Sequence, residues 1–265
     1  RAKDKDGRQP LHHASYWSQA GSIPHSFDAR PEIIGALLDA GADLDVEDNH
    51  GDTPLSLANI NGRASSVRFL LQRGANPSLC GRFGSATPQH IVDFLMDPDE
   101  SHAVEVLSKS RTDVDAKYND GNTLLHHAAW LGSPPAVIAL LIAGADPNSR
   151  GHQDFRPLHF AAELISHPCG PSAISALIRV GADVNAQNAL GYTPLLVAAY
   201  SGSPPAIQLL LSAGADPTIY GMDGYGPLHY AFALMSHPDG ATVITALIDS
   251  GVNVNAVGRD GMTPL

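Results

Sequence analysis

The chain has 265 residues, with 16 Lys and Arg against 27 Asp and Glu, for a formal net charge of −11. No run of five or more basic residues occurs, so nucleic acid and anionic membrane are disfavoured as partners, and no apolar run reaches the roughly 18 residues of a membrane span. The composition is 43% hydrophobic, with 25 Gly and 20 Pro, which reads as a densely punctuated folded chain and argues against disorder.

Read in order, the chain shows one helix-start pattern again and again: Gln9-Pro10-Leu11-His12, Thr53-Pro54-Leu55-Ser56, Thr87-Pro88-Gln89-His90 and Thr123-Leu124-Leu125-His126. It continues with Arg156-Pro157-Leu158-His159, Thr193-Pro194-Leu195-Leu196, Gly226-Pro227-Leu228-His229 and Thr263-Pro264-Leu265. A closing glycine recurs with them, as Gly41-Ala42-Asp43, Gly74-Ala75-Asn76, Gly144-Ala145-Asp146, Gly181-Ala182-Asp183, Gly214-Ala215-Asp216 and Gly251-Val252-Asn253. The stretch Gly191 to Pro217 shows what lies between. Thr193-Pro194 predicts a helix start with a capping hydroxyl and proline at the first helical position. Leu195, Ala198 and Ala199 make a small packing face, and Ser201-Gly202 ends the helix. Ser203-Pro204-Pro205 predicts a second start by the same logic. Ile207, Leu210 and Leu211 then fall on one stripe of an amphipathic helix, and Gly214 sits where a C′ glycine belongs. One such hairpin cannot bury its own stripe, and self-similarity at a fixed period means a solenoid.

These residues resemble ankyrin repeats: a TPLH-A-A first helix, a second helix ending in LL-x-x-GADVN, and a β-turn to the next unit. The resemblance implies an all-α solenoid of helix-turn-helix units over the whole chain, with repeats near 4–47, 48–80, 81–117, 118–150, 151–187, 188–220 and 221–257 and a partial one at 258–265. Repeat three is the weakest copy, with Gln89 for the apolar Leu and Val92-Asp93 for Ala-Ala. Both ends read as cut, which points to a piece of something longer.

Spacings between equivalent fourth positions run 44, 34, 36, 33, 37 and 33 residues, so long and short repeats alternate. Residues 128–147 match 198–217, and 164–178 match 234–248, each pair 70 residues apart. A two-repeat unit has been duplicated. The extra residues of the long repeats are expected between the two helices, where Pro24-His25, Pro98…His102, His167-Pro168 and His237-Pro238 fall.

Thirteen histidines invite metal chemistry, but His12, His90, His126, His159 and His229 hold the position that the family uses to hydrogen-bond the neighbouring turn. His167 and His237 lie two repeats apart, roughly 20 Å at 8–10 Å per layer, too far to share a zinc. Asp43, Asp146, Asp183 and Asp216 fall at one equivalent position and read as turn caps. The resemblance makes Asn148, Asn185 and Asn255 turn braces, at a position that an asparaginyl hydroxylase can modify in animals. Gly221 to Gly226 is glycine-dense but lacks a phosphate-loop lysine. Cys80 and Cys169 fit no metal or redox spacing and read as free thiols of a reducing compartment, cytoplasmic, or nuclear in a eukaryote. No catalytic constellation and no cofactor motif is present, so the chain reads as no enzyme.

The resemblance implies a concave binding face built from the turns and the exposed ends of first helices. Those helix ends carry Tyr16-Trp17, Ile60-Asn61, Phe94-Leu95, Trp130-Leu131, Glu163-Leu164, Tyr200-Ser201 and Ala233-Leu234. The turns carry Phe83, Tyr118, Arg150, His152, Phe155, Tyr192, Tyr220 and Tyr225. Eleven of the sixteen aromatics fall here, including both tryptophans, and aromatics in such positions anchor interfaces. The expected strip is Trp130, Phe155, Tyr192, Tyr200, Tyr220 and Tyr225, edged by Arg150, which could pair with an acidic group, and His152, with Tyr16 and Trp17 as a second patch. The expectation is a monomeric, non-enzymatic module that binds another protein or peptide. A targeting segment of a longer enzyme or effector, or a groove for a small molecule or glycan, are the alternatives.

Overall fold

The computed structural model describes residues 2–16, 30–61, 63–77, 79 and 113–264. Most of repeat three lies outside the described residues, with His90, Phe83, Phe94 and the Pro98…His102 segment; so do Cys80, Trp17 and Pro24-His25. The described elements are helices and short 3₁₀ turns, with no strand among them. Contacts divide the chain into two compact units, Arg1–Leu124 and Leu125–Leu265.

In the first unit, α1 (Pro10–Tyr16) packs on α2 (Arg30–Asp39) and on α3 (Pro54–Ile60), and α3 packs on α4 (Ala64–Gln72). Leu11, Leu55 and Leu70 are its fully buried anchors. Tyr118 belongs here too, and it is no face residue. Its ring is 5% exposed and its hydroxyl donates to the Pro77 carbonyl at 3.2 Å. A large ring with a satisfied hydroxyl is core.

The second unit continues with α5 (Leu124–Trp130), α6 (Pro134–Ile142), α7 (Ala161–Ile165) and α8 (Gly170–Arg179). It ends with α9 (Pro194–Tyr200), α10 (Pro204–Ser212), α11 (Ala231–Met235) and α12 (Gly240–Asp249). Leu140, Leu177, Leu210 and Leu247, one from each second helix, are all 0% exposed. Each such burial stabilises by about 1.5–3 kcal/mol, which a lone hairpin could not obtain. In the first helices Ala128, Ala161, Ala198 and Ala231 are buried in register. Their small side chains let neighbouring helices approach closely.

Local signals explain the helix ends, with one exception. Thr193 caps α9, its Oγ1 accepting from the Leu196 N–H at 3.3 Å. Gly214 closes α10 with φ at +89°, and Ala215 N–H reaches back to the Leu210 carbonyl. The serines before the second helices do not cap: neither Ser133 nor Ser203 accepts a capping bond, and Ser133 Oγ is buried without a partner. An N-cap is ordinarily extended, as Thr193 is with ψ at 164°, whereas Ser133 and Ser203 have ψ of 88° and 85°.

The long repeats also differ from expectation. Their extra residues do not collect in the inter-helix turn alone. Each first helix opens with a 3₁₀ turn, Pro157–Phe160 before α7 and Pro227–Tyr230 before α11. The turn after α7 is tight, with Gly170 N–H bonded to the His167 carbonyl at 2.8 Å. A methyl group on Gly170 would stand 2.1 Å from the Leu164 carbonyl oxygen, and on Gly240 2.0 Å from that of Leu234. Only glycine fits there.

Neighbouring repeats are stitched by polar groups at fixed positions. Nε2 of His12, His126 and His159 donates to the carbonyls of Asp52, Phe155 and Tyr192 at 3.0–3.1 Å. The Nδ1 of His12 and of His159 accepts from its own helix start, which fixes that tautomer. His229 accepts at Nδ1 likewise, while its Nε2 is buried without a partner. Asn148 bridges two turns, donating to the Gly181 carbonyl at 2.7 Å and accepting from Asp183 N–H at 2.8 Å. Asn185 accepts from Asp216 N–H in the same way. Asp43, Asp146, Asp183 and Asp216 each accept from the N–H two residues on, so the expected turn caps are present.

Candidate partner-binding face

Numbered from the residue before Pro-Leu-His, the eighth position of the first helix is Trp130, Glu163, Tyr200 and Ala233 in four consecutive repeats. The position just before it is buried in three of the four, Ala129, Ala162 and Ala199 being 0%, 9% and 0% exposed, whereas in the last repeat it is Phe232, which is 90% exposed. Trp130 and Tyr200, by contrast, are 60% and 66% exposed. Helical geometry explains the switch, since consecutive residues point about 100° apart, and the last residue of the helix turns off the packed face. These two rings are therefore held by rigid helices and left in water.

The turn aromatics are placed differently. Tyr192 is half-buried, and its ring lies against Gly221 of the next turn, where a methyl group would stand 2.2 Å from Cε1. Its hydroxyl hydrogen-bonds Asp223 and lies 2.8 Å from the Tyr230 hydroxyl. Burial first, and the hydrogen bond to Asp223 second, push its pKa well up. Tyr225 repeats the device one repeat later. Its ring lies against Gly258, its hydroxyl donates to Asp260 at 2.5 Å, and that bond pushes its pKa up to about 12. The Asp260 carboxyl is correspondingly held below the usual carboxylate range. A tyrosine on a Gly-x-Asp of the following turn is thus a clasp between repeats. These two rings brace the scaffold.

Tyr230 is the hub. It meets Tyr200 edge-on at 5.6 Å and Tyr225 at 5.9 Å, and Tyr225 stacks on His229 at 4.7 Å. In the preceding long repeat Phe160 takes the corresponding place and stacks on Phe155 at 5.7 Å, while Phe155 also touches the His159 ring. Tyr230 and Phe160 were not among the expected face residues. Their signal was there, an aromatic after the motif histidine in both long repeats. Tyr220 is half-buried with its ring over Gly226.

The basic edge is modest. Arg150 is exposed and already pairs with Asp154 of its own turn at 3.6 Å. His152 opens the exposed 3₁₀ turn His152–Asp154. Tyr16 is described only as the last residue of α1. Among the described residues no group of His, Cys, Asp and Glu could hold a metal ion. Nor is any described helix long and apolar enough to cross a membrane.

Stacked helix pairs, positive-φ glycines at each second-helix end and turns braced by Asp and Asn define a repeat scaffold of the solenoid class. The model for ankyrin repeats in three copies matches residues 158–258, and the single ankyrin-repeat model matches 50–82 and 120–152. The chain belongs to the ankyrin-repeat family. Relatives include ankyrin repeat protein nuc-2 of Neurospora crassa, 29% identical over 183 residues, covering 60% of this chain and 17% of the relative. Human transient receptor potential cation channel subfamily A member 1 is 36% identical over 123 residues, covering 46% of the chain and 11% of the channel. Human B-cell lymphoma 3 protein is 33% identical over 144 residues, covering 54% and 30% respectively. The chain thus spans less than a third of the length of each. The crystal structure of the ankyrin repeat domain of Bcl-3, titled a member of the IkappaB protein family, superposes with a TM-score of 0.52 at 25% identity. That superposition covers 98% of this chain and 93% of the other.

Proposed function

We propose that the second unit binds a protein or peptide partner on the face that carries Trp130 and Tyr200, and that it performs no catalysis itself. Ankyrin repeats are generally protein-interaction modules and are typically non-enzymatic, which is the coarse frame for this reading. The observation that carries the finer claim is the pair of rings at one equivalent position, 60% and 66% exposed beside alanines that are fully buried. Folding gains nothing from leaving two large aromatics in water, whereas an interface gains its anchor residues. The Tyr192, Tyr225 and Tyr230 cluster holds the adjoining surface rigid, which lowers the entropy lost on binding.

The test is a direct titration of the partner, isolated on the wild-type chain, against Trp130→Ala and Tyr200→Ala. Each variant should weaken binding about tenfold or more, with helical circular dichroism retained. Unchanged affinity in both variants would sink the reading. Because the curated relatives are far longer than this chain, a second reading is that the same face serves as the targeting segment of a larger protein.

A further inference from the structure

Glu163 stands between Trp130 and Tyr200 in the repeat register, one helix layer, or about 10 Å, from each. Its helix is in close contact with the neighbour carrying Trp130, because the Glu163 carbonyl lies 2.9 Å from where a Gly132 side chain would begin. In the duplicated copy the same position is Ala233. The scaffold therefore does not require a carboxylate there.

Glu163 also lines a cavity of about 540 Å³, together with Ser166 of its own repeat, Ser201 to Ser203 and Pro205 of the next, and His237 of the one after. Its Oε2 is buried and makes no hydrogen bond. Burial raises the pKa of the carboxyl, and its own backbone N–H offsets this in part. A carboxylate buried in a cleft without a partner is costly, and the cost is relieved either by a proton or by a cation that comes to it.

The chain itself offers little. Between Arg156 and Arg259 the only Lys or Arg is Arg179, against Glu163, Asp183, Asp216, Asp223, Asp239 and Asp249. Arg179 ends α8 and is not among the residues that line the cavity. His237, the one imidazole at the cavity, lies 3.7 Å from Asp239.

We propose that Glu163 and its cavity form the seat for a guanidinium group of the partner, in the repeat between those that carry Trp130 and Tyr200. This rests on the reading of the face given above and names its chemistry. A planar, weakly hydrated guanidinium, with two parallel donors, suits a part-buried carboxylate better than a compact, strongly hydrated ammonium does. The partner is accordingly a basic segment whose arginine is read at this point.

The experiment uses the whole chain and two small probes, Nα-acetyl-arginine methylamide and its neutral isostere Nα-acetyl-citrulline methylamide. Nuclear magnetic resonance follows the Trp130 indole N–H and the amides of Ser201, Gly202 and Ser203. Arginine should give saturable shifts at these positions and citrulline none. Glu163→Gln should weaken the arginine response about tenfold or more, with the dispersed spectrum of a folded chain. Glu163→Ala, which installs the residue already present at position 233, should behave the same way. Equal shifts with both probes, no shift with arginine, or an unaltered response in both variants would overturn the site. Partner binding separates the two readings. Loss in Trp130→Ala and Tyr200→Ala with full affinity in Glu163→Gln rejects the guanidinium seat and leaves the face standing. Loss in Glu163→Gln supports the seat.

Discussion

Asp154 shows how a single residue can depart from its repeat. The equivalent residues Gly7, Gly51, Gly121, Gly191, Gly224 and Gly261 all have φ between +76° and +81°, and Asp154 is held there too, at +57°, with Gln153 beside it at +51°. The left-handed region costs a non-glycine residue on the order of 1 kcal/mol. Its surface pair with Arg150 returns little of that. Asp154→Gly is therefore expected to stabilise the chain by about 0.5–1 kcal/mol, read as a higher urea midpoint. The histidines act in the opposite sense on acidification. Burial holds His12 and His159 below the ordinary imidazole pKa. The unfolded chain then binds protons that the folded chain refuses, so their contribution is complete above about pH 6.5 and is lost as the pH falls below it. Melting temperature should drop between about pH 7 and pH 5, and His159→Asn should make that drop shallower. The bridging roles of His159 and Asn148 were legible from the repeat pattern. The strain at Asp154 was not, because it lies in φ, which no residue name specifies.

At the scale of elements, the long repeats are built on a tight turn that the pattern did not disclose. An extra His-Pro suggested a longer loop, but the added residues also went into a 3₁₀ opening and a longer second helix. Gly170 and Gly240 make this possible through their approach to a backbone carbonyl at 2.1 and 2.0 Å from the missing Cβ. Backbone cannot move aside as a side chain can. Gly170→Ala should therefore destabilise the chain by about 1–3 kcal/mol, measured by denaturant unfolding. Gly144→Ala has nothing within 4 Å but a φ of +93°, so it reports left-handed backbone strain of about 1 kcal/mol without the clash. Thr193 and Gly214 could be read as helix ends because caps are local chemistry. Tyr192 could not be assigned as a clasp, since its partners Gly221, Asp223 and Tyr230 come from the following repeat, and only stacking brings them within reach.

For the molecule as a whole, repetition made the fold readable: the same leucines, alanines and glycines return in most repeats, repeat three being the exception, and stacking is what buries them. The proposed function follows the opposite rule, resting on residues that break the repeat. Trp130, Glu163 and Tyr200 occupy one position with three different side chains, and the duplicated copy holds Ala233 there. The sequence spread the expected face over more aromatics than the fold leaves exposed, as the burial of Tyr118 and the clasps of Tyr192 and Tyr225 show. The most direct measurement is partner affinity across Trp130→Ala, Tyr200→Ala and Ile142→Ala, the last removing a side chain that is 64% exposed at the end of a second helix. The account predicts a loss of about tenfold or more for the two aromatic variants and none for Ile142→Ala. Equal affinities for all three, or a loss confined to Ile142→Ala, would contradict it.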